Sequence, residues 1–338
     1  PRHSPSIINA SYQRWHTWDG QADSLWSQAL IPIESPIEMG GSRTHALRTI
    51  ASDPVLHRAW QEAFETTLDV FSDQERFPQS ACPPPVDPAN PFEPSTTSKD
   101  ARHLAWRTMT PEDQLLATGH FALIGKAFEA FQRTIRSGPS PFDHLAEAIR
   151  TDQTSSYPLE AKRGFRLFAD RAQCLNCHFG PRLSDGEFHN LGLQTPDGEA
   201  HDEARPAGIR QVRVSPFNGR GKWSDDNSFH ANQHLMYLVS NEHTVGAYKT
   251  PTLRNLGATA PYGHDGRFSD LAEVVDFYSE LPGDASIGHR EETLMPLKLS
   301  PAEKRDLTAF LDSLNADPKS WQHAGSAARH GDAASSKP

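Results

Sequence analysis

Apolar residues recur at helical spacing in several stretches of this chain, while sustained two-residue alternation is scarce, so the pattern predicts a mostly α protein. Leu116, Phe121, Ile124, Phe128, Phe131 and Ile135 form the longest series. It follows a helix start at Thr110-Pro111-Glu112-Asp113, with a hydroxyl N-cap and proline and acids in the first turn. Gly138-Pro139-Ser140-Pro141 is expected to stop it. A shorter helical stretch runs from Pro54 to Phe71. Ala161, Phe165 and Phe168 share a face of a helix over Pro158–Ala169, where Gly164 leaves room for another helix to come close. Leu271, Val274, Val275 and Tyr278 share a face of a further helix. Ser300 and Glu303 read as a capping box, followed by Leu307, Phe310, Leu311 and Leu314.

Turn-rich segments punctuate these helices. Residues 78–100 are rich in proline, with Asp, Asn and Ser, and read as an irregular insertion. Residues 321–338 are rich in Ala, Ser, Gly and Lys and are expected to be disordered. The resulting division is an N-terminal domain over 1–155, incomplete and carrying the insertion, a C-terminal domain over 156–320, and the tail. A length of 338 residues suits two domains. The net charge of −10 argues against a nucleic-acid partner, which needs a basic footprint. No apolar run reaches the roughly eighteen residues needed to cross a membrane. The chain begins at Pro1 without a charged-then-apolar leader, and the expectation is that it is processed or truncated. It has no internal repeat, phosphate loop or His-Glu-x-x-His motif.

The densest chemistry is Cys174-Leu175-Asn176-Cys177-His178, the attachment signature of c-type haem. Two thiols at this spacing bond the porphyrin vinyl groups, and the histidine supplies an axial nitrogen. A zinc site needs four ligands, and the one other cysteine is Cys82, far upstream. A thioredoxin-like pair needs a βαβ setting, whereas a helix precedes Cys174. With two cysteines on haem, Cys82 stays unpaired and a disulfide framework is excluded. Haem of this type is attached outside the cytoplasm, which in a bacterium means the periplasm.

Several further motifs resemble the bacterial dihaem cytochrome c peroxidase family, including its MauG branch. In the C-terminal half these are Gly164–Phe168, the haem motif, Phe188–Gly192, Tyr248–Asn255 and Thr259–Gly266. In the N-terminal half they are Trp18–Gly20, Ala22–Leu25, Gln28–Pro32 and Ser35–Met39. The resemblance implies two cytochrome-c-like domains, each with haem c, and a calcium ion between them. The family's first Cys-x-x-Cys-His lies upstream of the segment matching Pro5–Asn9. This chain would therefore attach one haem. Truncation is the expectation, with true loss of the first haem as the alternative.

The resemblance also implies residue roles. Trp18 matches the tryptophan that passes electrons between the haems; a core aromatic beside a Trp-Asp-Gly turn is the alternative. Glu38, twenty residues after Trp18, matches the distal glutamate that moves protons on peroxide, against an exposed Glu opening a loop. Gln28 and Pro32 match distal-pocket residues. Tyr278 occupies the position of the second haem's sixth ligand, where peroxidases usually carry methionine and MauG-like members tyrosine. A core tyrosine is the alternative, and Met236 and Met295 are rival ligands without a family match. Thr259 and Pro261 match backbone carbonyl ligands of calcium, a site expected to be incomplete because an asparagine ligand lies upstream. His16, His120, His189, His230, His234, His243 and His264 are expected to serve structure.

The function this implies is periplasmic reduction of hydrogen peroxide with electrons from a small cytochrome or cupredoxin. MauG-like oxidation of a protein substrate and electron carriage without catalysis remain open beside it. A phenolate ligand at Tyr278 would favour oxidised iron, unlike a thioether, and so weighs against a plain peroxidase.

Overall fold

The computed structural model describes residues 2–85, 95–193, 195 and 200–322. Among them run eleven α-helices: α1 (Leu25–Glu34), α2 (Arg43–Ser52), α3 (Pro54–Phe64), α4 (Ala101–Thr108), α5 (Pro111–Gln132), α6 (Pro141–Arg150), α7 (Leu159–Ala169), α8 (Arg205–Val214), α9 (Phe229–Asn232), α10 (Leu271–Glu280) and α11 (Pro301–Asp312). Two short strands, β1 (Phe188–His189) and β2 (Tyr248–Lys249), pair antiparallel, with Phe188 opposite Lys249. The mostly α expectation holds. Of the expected insertion, residues 86–94 lie outside the described residues, as do residues 323–338 of the expected disordered tail.

Packing divides the chain into two units that do not follow chain order. One holds residues 1–21, 131–209 and 239 onward; the other holds 22–130 and 210–238. A boundary at 155/156 falls inside the first unit, because α6 packs onto the helix that follows it. Leu145 and Phe142 cluster with Tyr157 and Ala161 and with Ala309 of α11.

In the first unit α7 and α11 cross at Gly164. A Cβ built there would sit 1.9 Å from the Asp306 carbonyl oxygen and 2.8 Å from the Phe310 Cβ, so only glycine permits this approach. Phe310 is fully buried and meets the rings of Phe142, Phe165 and Phe168 at 5.0–5.4 Å between centroids. The capping box forms as read from the sequence: Ser300 Oγ accepts from the Glu303 amide while the Glu303 carboxylate accepts from Ser300.

In the second unit Thr110 Oγ1 accepts the Asp113 amide at the start of α5. That helix stops at Gln132, short of Gly138, and Ile135 lies in the turn beyond it, its amide bonded to the Gln132 carbonyl. The stretch from Pro54 is a helix only to Phe64. Glu65 takes a left-handed conformation with φ 53°, which ends α3, and Val70 and Phe71 belong to a separate 3₁₀ turn. The core gathers Trp26, Leu47, Trp60, Phe77, Trp106 and Phe121. Arg43 is buried within it. Its guanidinium makes paired bonds to Glu34 at 3.0 and 2.9 Å and a third to Thr118, and stands 4.8–5.3 Å from the ring centroids of Trp106, Phe121 and Phe217.

Gly164→Ala should lower the unfolding free energy by about 2 kcal/mol or more, since backbone rather than a movable side chain occupies the space. Urea denaturation measures this; an unchanged midpoint would mean that α7 and α11 separate at little cost.

Candidate functional site

The site grows from the end of α7. Cys174–Asn176 form a 3₁₀ turn, entered through Gln173 in a left-handed conformation. The Cys174 carbonyl accepts from the amides of His178 at 2.8 Å and Cys177 at 3.3 Å, and the Cys177 carbonyl accepts from Asp185 at 2.8 Å. This short loop places Cys174, Cys177 and His178 on the wall of one cavity of about 710 Å³. That is within the ~300–1,000 Å³ common for cofactor sites.

His178 is set up as a metal ligand. Its Nδ1 lies 2.9 Å from the Leu183 carbonyl oxygen. A carbonyl can only accept, so Nδ1 carries the proton and Nε2 keeps its lone pair. Burial lowers the imidazole pKa and holds the ring neutral. Burial also pushes the Cys174 thiol up to about 12, so it is protonated at neutral pH. Two thiols and a neutral imidazole on one wall are a donor set that could hold a covalently anchored haem.

The same cavity gathers other residues singled out by sequence. Tyr278 of α10 lies on its wall, and burial, then the nearby Cys174 and Cys177, raise its phenol pKa. Met295 is also on the wall but 69% exposed, while Met236 belongs to the other unit. Trp18 lines the cavity; its Nε1–H donates to the His3 carbonyl at 2.7 Å, and its own carbonyl accepts from the Lys249 amide at 2.8 Å. Thr259 and Pro261 reach the wall as well.

Gln28, Pro32 and Glu38 fall in the second unit. Gln28 and Pro32 stand one turn apart on α1, and Pro32 has no N–H to offer the Gln28 carbonyl. The chain then turns back: the Pro32 carbonyl accepts from Met39, and that of Ser35 from Glu38 and Gly40. Glu38 is exposed on this turn. Arg102, paired with Asp100, holds the turn by reaching the carbonyls of Glu34, Gly40 and Gly41 at 3.1–3.4 Å.

Several further wall residues carry no chemical role in the sequence, His189 and His264 being expected only to serve structure. His264 stacks on Tyr248 with centroids 3.7 Å apart, Arg2 pairs with Asp202 and Asp19, and Lys249 is buried. His189 is held between Asp185 at 2.9 Å and Glu291 at 2.8 Å. Asp185 is visible four residues before it, but Glu291 is distant in sequence. Cys177, Asp185 and His189 are also the one group of metal-ligating side chains found close together among the described residues. Hydrogen bonds to Asp185 first, then to Cys177 and Glu291, outweigh burial and raise the His189 pKa to about 11. A raised folded-state pKa stabilises fully below the unfolded value of about 6.5, and the contribution is lost as pH rises toward 11. Denaturation midpoints of the wild type should therefore fall between pH 6.5 and 10, and His189→Gln should flatten that slope.

A model of the di-haem cytochrome c peroxidase family matches residues 1–81. The cytochrome-c peroxidase IdrP1 of Denitromonas iodatirespirans is 33% identical over 318 residues, 93% of this chain and 68% of that protein. The methylamine utilization protein MauG of Methylorubrum extorquens is 27% identical over 94% of this chain. The chain spans 65% of the length of that MauG and 48% of the IdrP1 of a Pseudomonas species. Among solved structures, a MauG-like protein associated with microbial copper homeostasis superposes with a TM-score of 0.57 at 23% identity, covering 94% of this chain and 76% of that one. The diheme peroxidase BthA of Burkholderia thailandensis gives 0.55 at 18% identity, covering 93% and 72%. These likenesses carry the mostly helical fold, and the shared sequence carries the kinship: the chain belongs to the di-haem cytochrome c peroxidase family, whose cofactor is haem c.

Proposed function

We propose that the whole protein is a periplasmic haem oxidoreductase that reduces hydrogen peroxide to two waters with two electrons from a small cytochrome or cupredoxin. The observation that carries this is the single cavity wall bearing Cys174, Cys177, Tyr278 and a His178 whose Nδ1–H is committed to Leu183. In this reading Cys174 and Cys177 would anchor haem c through their sulfurs, and His178 Nε2 and Tyr278 would hold its iron. The haem, when bound, supplies the redox-active iron.

The chain's own residues then have separable tasks. Glu38 would serve the family's other haem, not the one on His178: it takes a proton from peroxide and returns it to the departing oxygen as water forms, work that one carboxylate can do in both directions. Arg102 keeps the turn that carries it in place. Trp18 passes electrons, and the His3 carbonyl that accepts its N–H favours the electron-poor indole. The carbonyls of Thr259 and Pro261 are suited to calcium, a hard cation. Export fits covalent haem, and among the described residues no helix is long and apolar enough to cross a membrane.

Tyr278 favours a second reading. An anionic phenolate stabilises oxidised iron where a thioether would not. A site with that ligand stores oxidising equivalents, as oxidation of a protein substrate would require. The donor would then be side chains of a partner protein rather than a carrier.

Peroxide turnover by the full-length protein with a reduced cytochrome tests the first reading. No peroxide-dependent oxidation of any donor would leave electron carriage alone. Glu38→Gln should slow peroxide reduction by about 10²–10⁴-fold, whereas a wild-type rate would remove its proton-transfer role. Tyr278→Met should raise the potential of the haem on His178, read by spectroelectrochemistry; an unchanged potential and spectrum would remove Tyr278 as ligand.

A further inference from the structure

Among the described residues, Lys249 is the one side-chain ammonium on the cavity wall, and no carboxylate pairs with it. It lies on β2 opposite Phe188, only 8% exposed, with its side chain on the wall. An ammonium has three protons to donate. Among the described residues its one side-chain acceptor is the neutral amide oxygen of Gln13, and no carboxylate lies within ion-pair distance. The other cations on the wall are all matched. Arg2 has Asp19 and Asp202, Arg171 has Glu303, Arg254 has Asp143 and Arg267 has Asp265. His189 has Asp185 and Glu291.

A buried ammonium without a counter-charge is costly, and proteins keep such groups where something pairs them. Burial, and then Arg182, push the Lys249 pKa down to about 8. Haem brings two propionate carboxylates into whatever cavity holds its ring. Anchored at Cys174 and Cys177, it would share this wall with Lys249.

We propose that the Lys249 ammonium, steadied by Gln13, binds a propionate of the haem carried by Cys174 and Cys177. This rests on the haem reading above. The Lys249 amide also holds the Trp18 carbonyl, so the strand that meets the propionate is tied to the segment of Trp18. The contact would supply positive charge beside the macrocycle and favour the reduced iron.

The test uses this 338-residue chain matured with haem c, which has one attachment motif and so one set of propionate bands. Wild type, Lys249→Met and Lys249→Gln are compared for covalent haem by mass, for the propionate bending band in resonance Raman spectra, and for midpoint potential. In Lys249→Met the haem should stay attached, the propionate band should shift and the potential should fall. An attached haem with band and potential both unchanged would overturn the assignment. If the methionine variant does not fold, Lys249→Gln decides in the same way, since it keeps a donor but no charge. A wild-type chain that takes up no haem would overturn the haem reading itself, a result distinct from an unresponsive variant.

Discussion

The crossing of α7 and α11 at Gly164 is the constraint on which the unit carrying the Cys174–His178 motif depends. Asp306 backbone occupies the space where any other residue would carry a side chain. That close approach lets Phe310 fill the gap among Phe142, Phe165 and Phe168. It also fixes the direction in which α7 delivers the chain to the Cys174 turn. Leu307 and Leu311 of α11 and Phe168 of α7 then furnish apolar wall beside the thiols. A cofactor cavity with precise ligand geometry needs walls that do not shift, and a backbone-to-backbone contact is stiffer than one between flexible side chains.

Charge is distributed around that cavity with little left over. The arginines on the wall each meet a carboxylate, and His189 meets two. His178 is kept neutral by burial, and the Leu183 carbonyl fixes its one proton on Nδ1. Lys249 departs from this pattern, and its proximity to Trp18 puts the departure at the edge of the proposed electron path.

Buried cations also organise the second unit. Arg43 closes the end of α1 through Glu34 while three aromatic rings surround its guanidinium. Removing one partner of such a pair would strand the other inside the core, at a cost of about 3–5 kcal/mol. Arg102 works on the adjacent backbone, collecting three carbonyls that the turn after α1 leaves unsatisfied by helix bonds. Together they give an exposed carboxylate, Glu38, a supported backbone. The proton-transfer role proposed for Glu38 would need such fixed geometry, which an untethered loop lacks.

Local chemistry was readable directly. The capping box at Ser300, the N-cap at Thr110, the need for a small residue at 164 and the Cys174–His178 motif all depend on groups a few residues apart, and so they stand in the sequence itself. Helix ends were less legible: α3 stops at Glu65 and α5 at Gln132 because backbone conformation and tertiary turns intervene where the apolar period continues. Only the tertiary structure joined Glu291 to His189, placed α6 with α7 and α11 across the expected domain boundary, and buried Arg43 and Lys249. The physical reason is that burial and charge pairing are properties of surfaces meeting in space. A lysine in a strand reads as a solvated charge until the fold shows it buried with no carboxylate among the described residues to meet it.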